Sequence, residues 1–307
     1  MIKNFFLKLE AYSKNLAENY TPHTNVVGLG RSVLALGSLL TLAINPAHYF
    51  FNKSVEGVYY NPLLDLETYP FNNFNFFLLF GVENAPIMKW LAVIILLVVI
   101  SGYFIKISSI LHWWIAISFM LSSSLLDGGD QIASIISFLL IPICLTDTRK
   151  NHWQKIKSNA SPKNLIAILF VWIIRIQVAV IYFNASTGKF NTIEWENGTA
   201  LYYWLNHSVF GITDFYRPLL DPMLSSSLLQ PLLTYGVIIL EICLFLALTA
   251  SVKYRKRILP LAIFFHLFII LFHGIFSFFF SIIAGAILYL YPTYQNIDFK
   301  RWRRNTK

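Results

Sequence analysis

Lys189 is the residue whose position most strongly indicates chemistry, because this lone lysine comes just after a long apolar run, in the segment 182–198. An ammonium group at the end of a membrane helix is costly to desolvate, so such a group loses its proton more readily than in water. A neutral amine can accept a proton, which predicts a general base. The alternative interpretation is a structural lysine whose side chain reaches the lipid headgroups.

Two histidines, His266 and His273, are candidates for the same proton-transfer chemistry. They are seven residues apart, which is about two helical turns, so they lie on roughly the same face of a helix. Imidazole exchanges protons near neutral pH, and two such rings with a lysine nearby predict a proton-handling site. The alternative is that both rings are hydrogen-bonded packing residues.

The other ionisable and polar residues within apolar runs must face the interior of a helix bundle or a wet cavity. One interpretation of Arg175 and Glu241 is an ion pair that ties two helices together. Along an unbroken helix Arg175 would lie about 21 Å from Lys189, so these two are not expected to touch. The remaining residues of this kind are Arg31, Gln177, Asp127 and Asp130. Asp130, in a tight turn, is a candidate for a substrate pocket.

The composition explains where these residues must lie. Apolar residues make up 56% of the 307 residues and charged residues only 13%, with 27 phenylalanines and a mean hydropathy of +0.59. A membrane solvent accounts for so much hydrocarbon surface, and a soluble domain does not need it. The polar segment 1–20 has no charged start followed by an apolar core, so no cleavable signal peptide is predicted.

The apolar runs predict an all-α polytopic membrane protein with a single domain. Spans are expected near 25–45, 87–105, 108–126, 131–146, 164–186, 229–250, 257–274 and 276–293. The two longest connections, about 46–86 and 187–228, are rich in aromatic residues, proline and asparagine. Short interfacial helices or a substrate-binding rim are the two interpretations of these loops. Residues 198–209 predict a helix lying on the membrane, with Leu201, Trp204 and Leu205 on one face.

The distribution of basic residues predicts the orientation. Lysine and arginine concentrate in the tails 1–20 and 294–307 and in every second loop, which places both termini in the cytoplasm. The loops 46–86 and 187–228 then form an extracytoplasmic working face of a bacterial cytoplasmic membrane protein. Contact with anionic lipid accounts for the net charge of +9, so no nucleic-acid partner is predicted.

Cysteine and the common cofactor motifs contribute little. Cys144 and Cys243 both fall within predicted spans, where a cysteine is usually a small apolar filler rather than half of a disulfide. No spacing typical of a metal site, a nucleotide loop or a serine nucleophile occurs in the sequence. We therefore predict no metal.

The motif around Lys189 resembles the central motif of the HTTM superfamily, the membrane domain related to vitamin K-dependent gamma-glutamyl carboxylase. Tyr182, Lys189, Trp195 and Gly198 carry this resemblance, with one extra residue between the lysine and the tryptophan. Three more segments fit the family pattern: 30–37, 175–177 and 265–277. Within the superfamily the chain is most similar to the bacterial sporulation-delaying protein B group. Members of that group are required, with a small partner protein, to mature a secreted peptide toxin.

The resemblance implies roles for particular residues. Lys189 stands where the carboxylase has the base that deprotonates reduced vitamin K, so a membrane quinol is implied as a cofactor. The pocket is then expected to be shaped by Tyr182, Trp195 and Gly198. His266 or His273 is expected to relay a proton or to orient the reacting groups. The chain has no counterpart of the large extramembrane portion of the carboxylase, which favours a hydroquinone or peptide site within the bundle over gamma-carboxylation.

Three classes of function follow. The first is a peptide-modifying enzyme that acts on a toxin precursor with Lys189 as the base. The second is a non-catalytic scaffold or chaperone that presents the precursor to a partner or protease. The third is a quinol-dependent, carboxylase-like oxidoreductase. An immunity protein or a transporter is a more distant alternative, since no inverted repeat or pair of broken helices is found.

Overall fold

The computed structural model describes residues 2–51, 74–155, 161–208 and 211–298. These residues form α-helices, short 3-10 turns and connecting loops, without a β-strand among them. The prediction of an all-α protein is therefore confirmed for the described part. Most of the first long loop, including the aromatic cluster near 59–73, lies outside the described residues.

Eight apolar helices lie at the eight predicted positions. They are α2 (Asn25–Ile44), α4 (Ala85–Ser101), α5 (Ile105–Ser122), α6 (Gly128–Thr146), α7 (Lys163–Lys189), α11 (Leu229–Leu246), α12 (Val252–His273) and α13 (Phe276–Leu290). Six of them are long and apolar enough to cross a bilayer. The other two, α4 and α13, have 17 and 15 residues. The apolar helices identify a membrane protein, while the number of crossings remains a prediction.

Five further helices are polar or short. They are α1 (Ile2–Asn19), α3 (Ala47–Phe50), α8 (Ile193–Glu196), α9 (Ala200–Leu205) and α10 (Arg217–Leu224). The helix predicted at 198–209 thus exists as α9 but is shorter. Its last residue, Leu205, is buried in a small apolar cluster with residues of the following loop and α10, which ties this segment to the bundle.

The long helices alternate in direction, so the bundle has two ends. At one of them the hydroxyl of Thr24 donates to the carbonyl of Thr293 at 2.6 Å, and Asn164 donates to the carbonyl of Ala17 at 3.0 Å. We call this the N/C end, because the described terminal segments meet there. At the opposite, Lys189 end the last turn of α7 lies beside α11, and Ser277 of α13 donates to Asp127.

Helix α13 forms the centre of the bundle although it is the shortest of the eight. Eleven of its 15 residues are buried, against α2, α6, α7 and α12. At about 1.5 Å per residue it is only about 22 Å long, less than the roughly 30 Å of a hydrocarbon core. Burial among other helices, rather than contact with lipid on all sides, explains how so short a helix is accommodated.

Helices α11 and α12 form the edge of the bundle, and each buries a single stripe. The buried stripe of α11 is Thr234, Ile238, Glu241 and Leu244, and that of α12 is Arg255, Ile258, Ala262 and His266. Spacings of three and four residues place each set on one helix face. These two stripes therefore carry ionisable side chains inward, while the remaining apolar surface faces outward.

Candidate functional site

A cavity of about 360 Å³ lies at the Lys189 end of the bundle. Helices α7, α11 and α12 form its walls, and the segment 193–204 covers it together with the starts of α6 and α13. Six predicted polar or aromatic residues line it: Tyr182, Lys189, Trp195, Glu241, His266 and His273. These residues come from the three long helices and the short helix α8, so the fold assembles them from distant parts of the chain.

Lys189 is held on three sides. Its ammonium nitrogen, Nζ, lies 2.7 and 2.8 Å from the two carboxylate oxygens of Glu241. The same atom donates to the carbonyl of Ala185 at 3.0 Å and lies 4.9 Å from the ring centroid of Trp195. The Lys189 side chain is 17% exposed and that of Glu241 only 7%. This is a largely buried, bidentate ion pair between α7 and α11.

The partner of Glu241 corrects one sequence-based interpretation. An ion pair between Arg175 and Glu241 is wrong, because Glu241 is paired with Lys189 and Arg175 donates instead to the carbonyl of Tyr289 at 3.3 Å. Helix α7 is unbroken from Lys163 to Lys189, so the 14-residue separation keeps Arg175 and Lys189 about 21 Å apart. As predicted, these two cations do not share a site.

His266 lines the cavity from α12 and is 2% exposed. Its ring atom Nδ1 lies 2.7 Å from the carbonyl oxygen of Ala262, one turn earlier in α12. A carbonyl can only accept, so Nδ1 carries the proton, and in a neutral ring Nε2 is then an acceptor. The rings of His266 and Tyr182 are 6.0 Å apart between centroids, in an edge-to-face arrangement.

The Tyr182 hydroxyl is a polar group without a partner in the described structure. The side chain is 2% exposed and lines the cavity, yet its oxygen makes no hydrogen bond. A buried hydroxyl without a partner costs free energy, on the order of 1–3 kcal/mol. A polar group of a bound ligand that reached this hydroxyl would remove that cost.

His273 also lines the cavity, two turns beyond His266 on the same face, as its spacing predicts. Its side chain is half-buried, at the last residue of α12. The chain then turns at Gly274, whose φ is +69°, and α13 begins at Phe276. This close turn brings His273 and Phe278 to the same cavity.

The tight turn before α6 contributes Asp127 to the cavity rather than the predicted Asp130. Asp127 is the N-cap of α6, and its Oδ1 accepts from the amides of Gly129 and Asp130 at 2.6 and 3.2 Å. Asp130 accepts in return from the amide of Asp127 at 3.1 Å, which completes a capping box. Asp130 is buried on the far side, near α2 and α5. The capping hydrogen bond gives this buried carboxylate a partner.

Gly198 shapes the site without lining it. Its φ is +75°, and a Cβ atom there would lie 2.9 Å from Cβ of Pro231. Glycine is favoured because it adopts this conformation without strain and leaves room for α11. The turn directs the chain from α8, which carries Trp195, into α9, which carries Trp204, and both tryptophans line the cavity.

Arg31 and Gln177 belong to the scaffold. Gln177 is half-buried on α7 and does not line the cavity. Arg31 is 1% exposed and contacts Ser108 Oγ at 2.6 Å and His152 Nδ1 at 3.3 Å. Burial, with Arg31 and Arg149 nearby, lowers the pKa of His152 to about 3, so its neutral ring accepts from the guanidinium. This cluster fastens the 147–155 loop to α2 and α5.

Two acidic residues that line the cavity were not assigned to it from sequence. Glu241 has the spacing of a buried stripe with Ile238 and Leu244, which predicts that it faces inward but does not identify its partner. Asp127 could have been recognised from the pattern Asp127-Gly-Gly-Asp130, in which the first acid caps and the second returns to the backbone. Of the two acids in this pattern, Asp127 is the one that contacts the start of α13, through Ser277.

Comparison with known proteins identifies the family. No family model matches the chain and no solved structure matches it, so the HTTM resemblance remains a prediction. The chain is 35% identical over 289 residues to the uncharacterized protein YitO of Bacillus subtilis (strain 168), covering 92% of this chain and 90% of that protein. It is 34% identical over 282 residues to the sporulation-delaying protein SdpB of the same organism, covering 91% of this chain and 85% of SdpB. At this identity and coverage, the chain belongs to the family that includes SdpB and YitO.

Proposed function

We propose that this protein is required for production of a secreted peptide toxin of the sporulation-delaying type, and that the cavity at the Lys189 end binds and modifies the precursor. One observation carries the proposal: an ion pair, a histidine with an accepting nitrogen and a hydroxyl without a partner surround a single cavity. Membership of the SdpB family supports the link to toxin production. We also propose that the protein acts together with a small partner protein, as the family resemblance implies.

The polar groups of the cavity fit proton transfer. The Lys189 ammonium donates hydrogen bonds to both carboxylate oxygens of Glu241, so a proton can move along this contact from the amine to the carboxylate. The neutral amine, or Nε2 of His266, would then accept a proton from a bound peptide. The apolar remainder of the lining, including Ile181, Leu201, Val237 and Phe278, fits the side chains of a hydrophobic precursor.

The test is mature peptide output, measured by mass spectrometry of the culture medium. The variants are Lys189→Ala, Lys189→Arg and Glu241→Gln, compared at equal membrane levels. Arginine keeps the charge but cannot act as a base near neutral pH. We expect each variant to lower output about 100-fold or more, as the loss of a general base typically does. Lys253→Arg, an exposed lysine on α12, is the matched control and should leave output unchanged.

Tyr182→Phe separates binding from folding. It removes only the oxygen that has no protein partner, so we expect unchanged or slightly higher thermal stability. If the hydroxyl contacts the precursor, output should still fall. Unchanged output with unchanged stability would exclude Tyr182 from the binding site.

A scaffold that presents the precursor to a partner or protease is the second candidate. The ion pair and the contact with Trp195 already give Lys189 a structural role, and this observation favours that candidate. In that case Lys189→Arg should retain full output, because arginine can replace the lysine in both contacts. Full output from the arginine variant would therefore exclude the enzyme.

A quinol-dependent oxidoreductase is the third candidate and rests on the HTTM resemblance. The flat aromatic and apolar lining fits a ring, and Tyr182, His266 and Glu241 would hold its hydroxyl groups. When bound, a quinol would supply reducing equivalents. Organic extraction of the purified protein, followed by mass spectrometry, should recover a stoichiometric quinone from the wild type and less from Tyr182→Phe. Protein that yields none would exclude this candidate.

A further inference from the structure

A second cavity, of about 550 Å³, lies toward the N/C end and is distinct from the site around Lys189. It is bounded by α1, α7, the α11–α12 turn and the segment after α13. Its polar lining includes Arg175, Arg255, Tyr20, Tyr294 and Thr249. Tyr12 of the amino-terminal helix α1 also lines the cavity and is 64% exposed.

The two arginines are buried without full hydrogen bonding. Arg175 is 3% exposed: its Nε donates to the carbonyl of Tyr289 at 3.3 Å, and its guanidinium carbon lies 5.0 Å from the ring centroid of Trp172. Its Nη2 is buried and has no partner in the described structure. Arg255 is 8% exposed, and its buried Nε also lacks a partner. Both guanidinium groups therefore retain a buried N–H donor that no described acceptor satisfies.

No acidic residue occurs among the described residues that line this cavity. Two buried cations without an anion are unfavourable, because burial removes their hydration and neither compensates the other. Arginine presents donors in a planar fork that matches a phosphate or carboxylate. An anion bound to both guanidinium groups would accept their unpaired hydrogen bonds and compensate their charge.

The rest of the lining indicates the kind of anion. Leu16, Ile168, Trp172 and Leu248 give the cavity an apolar portion beside the arginines. The charge distribution predicts that this end faces the cytoplasm, where basic pockets between membrane helices bind anionic lipid headgroups. We propose that Arg175 and Arg255 form an anion site for the phosphate group of an anionic phospholipid or of a soluble phosphate ligand.

The experiment measures thermal unfolding of the purified full-length protein in detergent. Phosphatidylglycerol, phosphatidylcholine with the same acyl chains and inorganic phosphate are titrated separately. The variants are Arg175→Gln and Arg255→Gln, and the matched control is Arg257→Gln. Arg257 is two residues along the same helix but exposed, so the control makes the same change of charge outside the cavity.

We expect phosphatidylglycerol to raise the unfolding temperature of the wild type and of Arg257→Gln. Arg175→Gln and Arg255→Gln should need a lipid concentration at least about tenfold higher for the same increase in unfolding temperature. Each of these variants loses charge-assisted hydrogen bonds to the phosphate. If inorganic phosphate protects as well as the lipid does, the natural ligand is soluble and the anion site stands.

Two results would overturn the proposal. Equal protection by phosphatidylcholine would show that the cavity binds acyl chains only. An equal loss in Arg257→Gln and Arg255→Gln would show a general effect of surface charge. If Arg175→Gln fails to fold, Arg255→Gln and the comparison of the two lipids still decide between these outcomes.

Discussion

Lys189 contacts two other side chains, in different ways, and together they determine what the lysine can do. The Glu241 carboxylate accepts hydrogen bonds from the ammonium, whereas the Trp195 ring attracts its charge without accepting a proton. A buried pair of this geometry is stable only while both members are present, since a lone buried charge is costly. The same contacts that orient the lysine therefore make it sensitive to the loss of its partner.

A double-mutant cycle on this pair should show strong coupling. Lys189→Met and Glu241→Leu should each lower the free energy of unfolding by about 3 kcal/mol, because each leaves a buried charge unpaired. The double variant should be less destabilised than the sum of the two, since no charge remains. Thermal or denaturant unfolding in detergent provides the measurement.

The exposed pair of Arg217 and Asp221, 3.8 Å apart, supplies the matched control. Pairs on the surface couple weakly, so Arg217→Met and Asp221→Leu should be additive to within about 1 kcal/mol. Additive effects at Lys189 and Glu241 as well would contradict a tightly coupled buried pair.

Residue by residue, the sequence indicated most members of the cavity but not their partners. Lys189, His266 and His273 were predicted from intramembrane polarity and helical spacing, and all three line it. The assignment of Glu241 to Arg175 was wrong because periodicity places a residue on a face and does not say which helix faces it. Asp130 was placed in the pocket because charge alone does not separate a capping acid from a functional one.

At the scale of helices, the entrance to α6 depends on a close approach to α13. A Cβ atom on Gly129 would lie 2.3 Å from the amide nitrogen of Phe278, which is backbone and cannot rotate away. Beside this contact, the hydroxyl of Ser277 donates to Asp127 at the edge of the cavity. The packing of these two helix ends therefore fixes one side of the site.

We expect Gly129→Ala to destabilise the protein by about 1–3 kcal/mol, the usual cost of overpacking. Gly236→Ala on α11 is the control, because its Cβ would meet no atom within 4 Å. There the replacement should stabilise the helix by about 0.5–1 kcal/mol. The free energy of unfolding of both variants can be measured in detergent. An unchanged value for Gly129→Ala would show that α13 can move away from α6.

The positions of the helices could be predicted from hydropathy, but their neighbours could not. Each predicted apolar run contains a helix because every backbone group must be paired within a segment that lipid surrounds. Hydropathy did not identify α13 as the central helix, since a short apolar run can be either buried or lipid-facing. Small residues at contacts, such as Gly30 against Leu288, determine that arrangement through packing.

At the scale of the whole molecule, the two cavities lie toward opposite ends of one bundle and differ in charge. The cavity at the Lys189 end contains a balanced ion pair, whereas the one toward the N/C end contains two arginines. The basic residues concentrate in segments at the N/C end, which predicts that this end faces the cytoplasm. The proposed toxin-modifying site then faces the exterior.

Single cysteines can test this orientation in intact cells. Ser227→Cys lies between α10 and α11 at the Lys189 end, and Lys253→Cys lies at the N/C end; both positions are exposed. A membrane-impermeant maleimide should label only Ser227→Cys until the cells are permeabilised, when both should react. The parent protein, with buried Cys144 and half-buried Cys243, gives the background. If only Lys253→Cys is labelled in intact cells, the protein has the opposite orientation to the one proposed.

The single buried stripes of α11 and α12 have a consequence for how a substrate arrives. Only 22% and 17% of their apolar windows are buried, so the wall that carries Glu241 and His266 is one helix thick. In the predicted membrane arrangement, lipid lies behind this wall. A hydrophobic peptide that partitions into the bilayer is concentrated beside that wall and finds it by a two-dimensional search. Such a substrate would enter the site from the membrane and not from the aqueous solution.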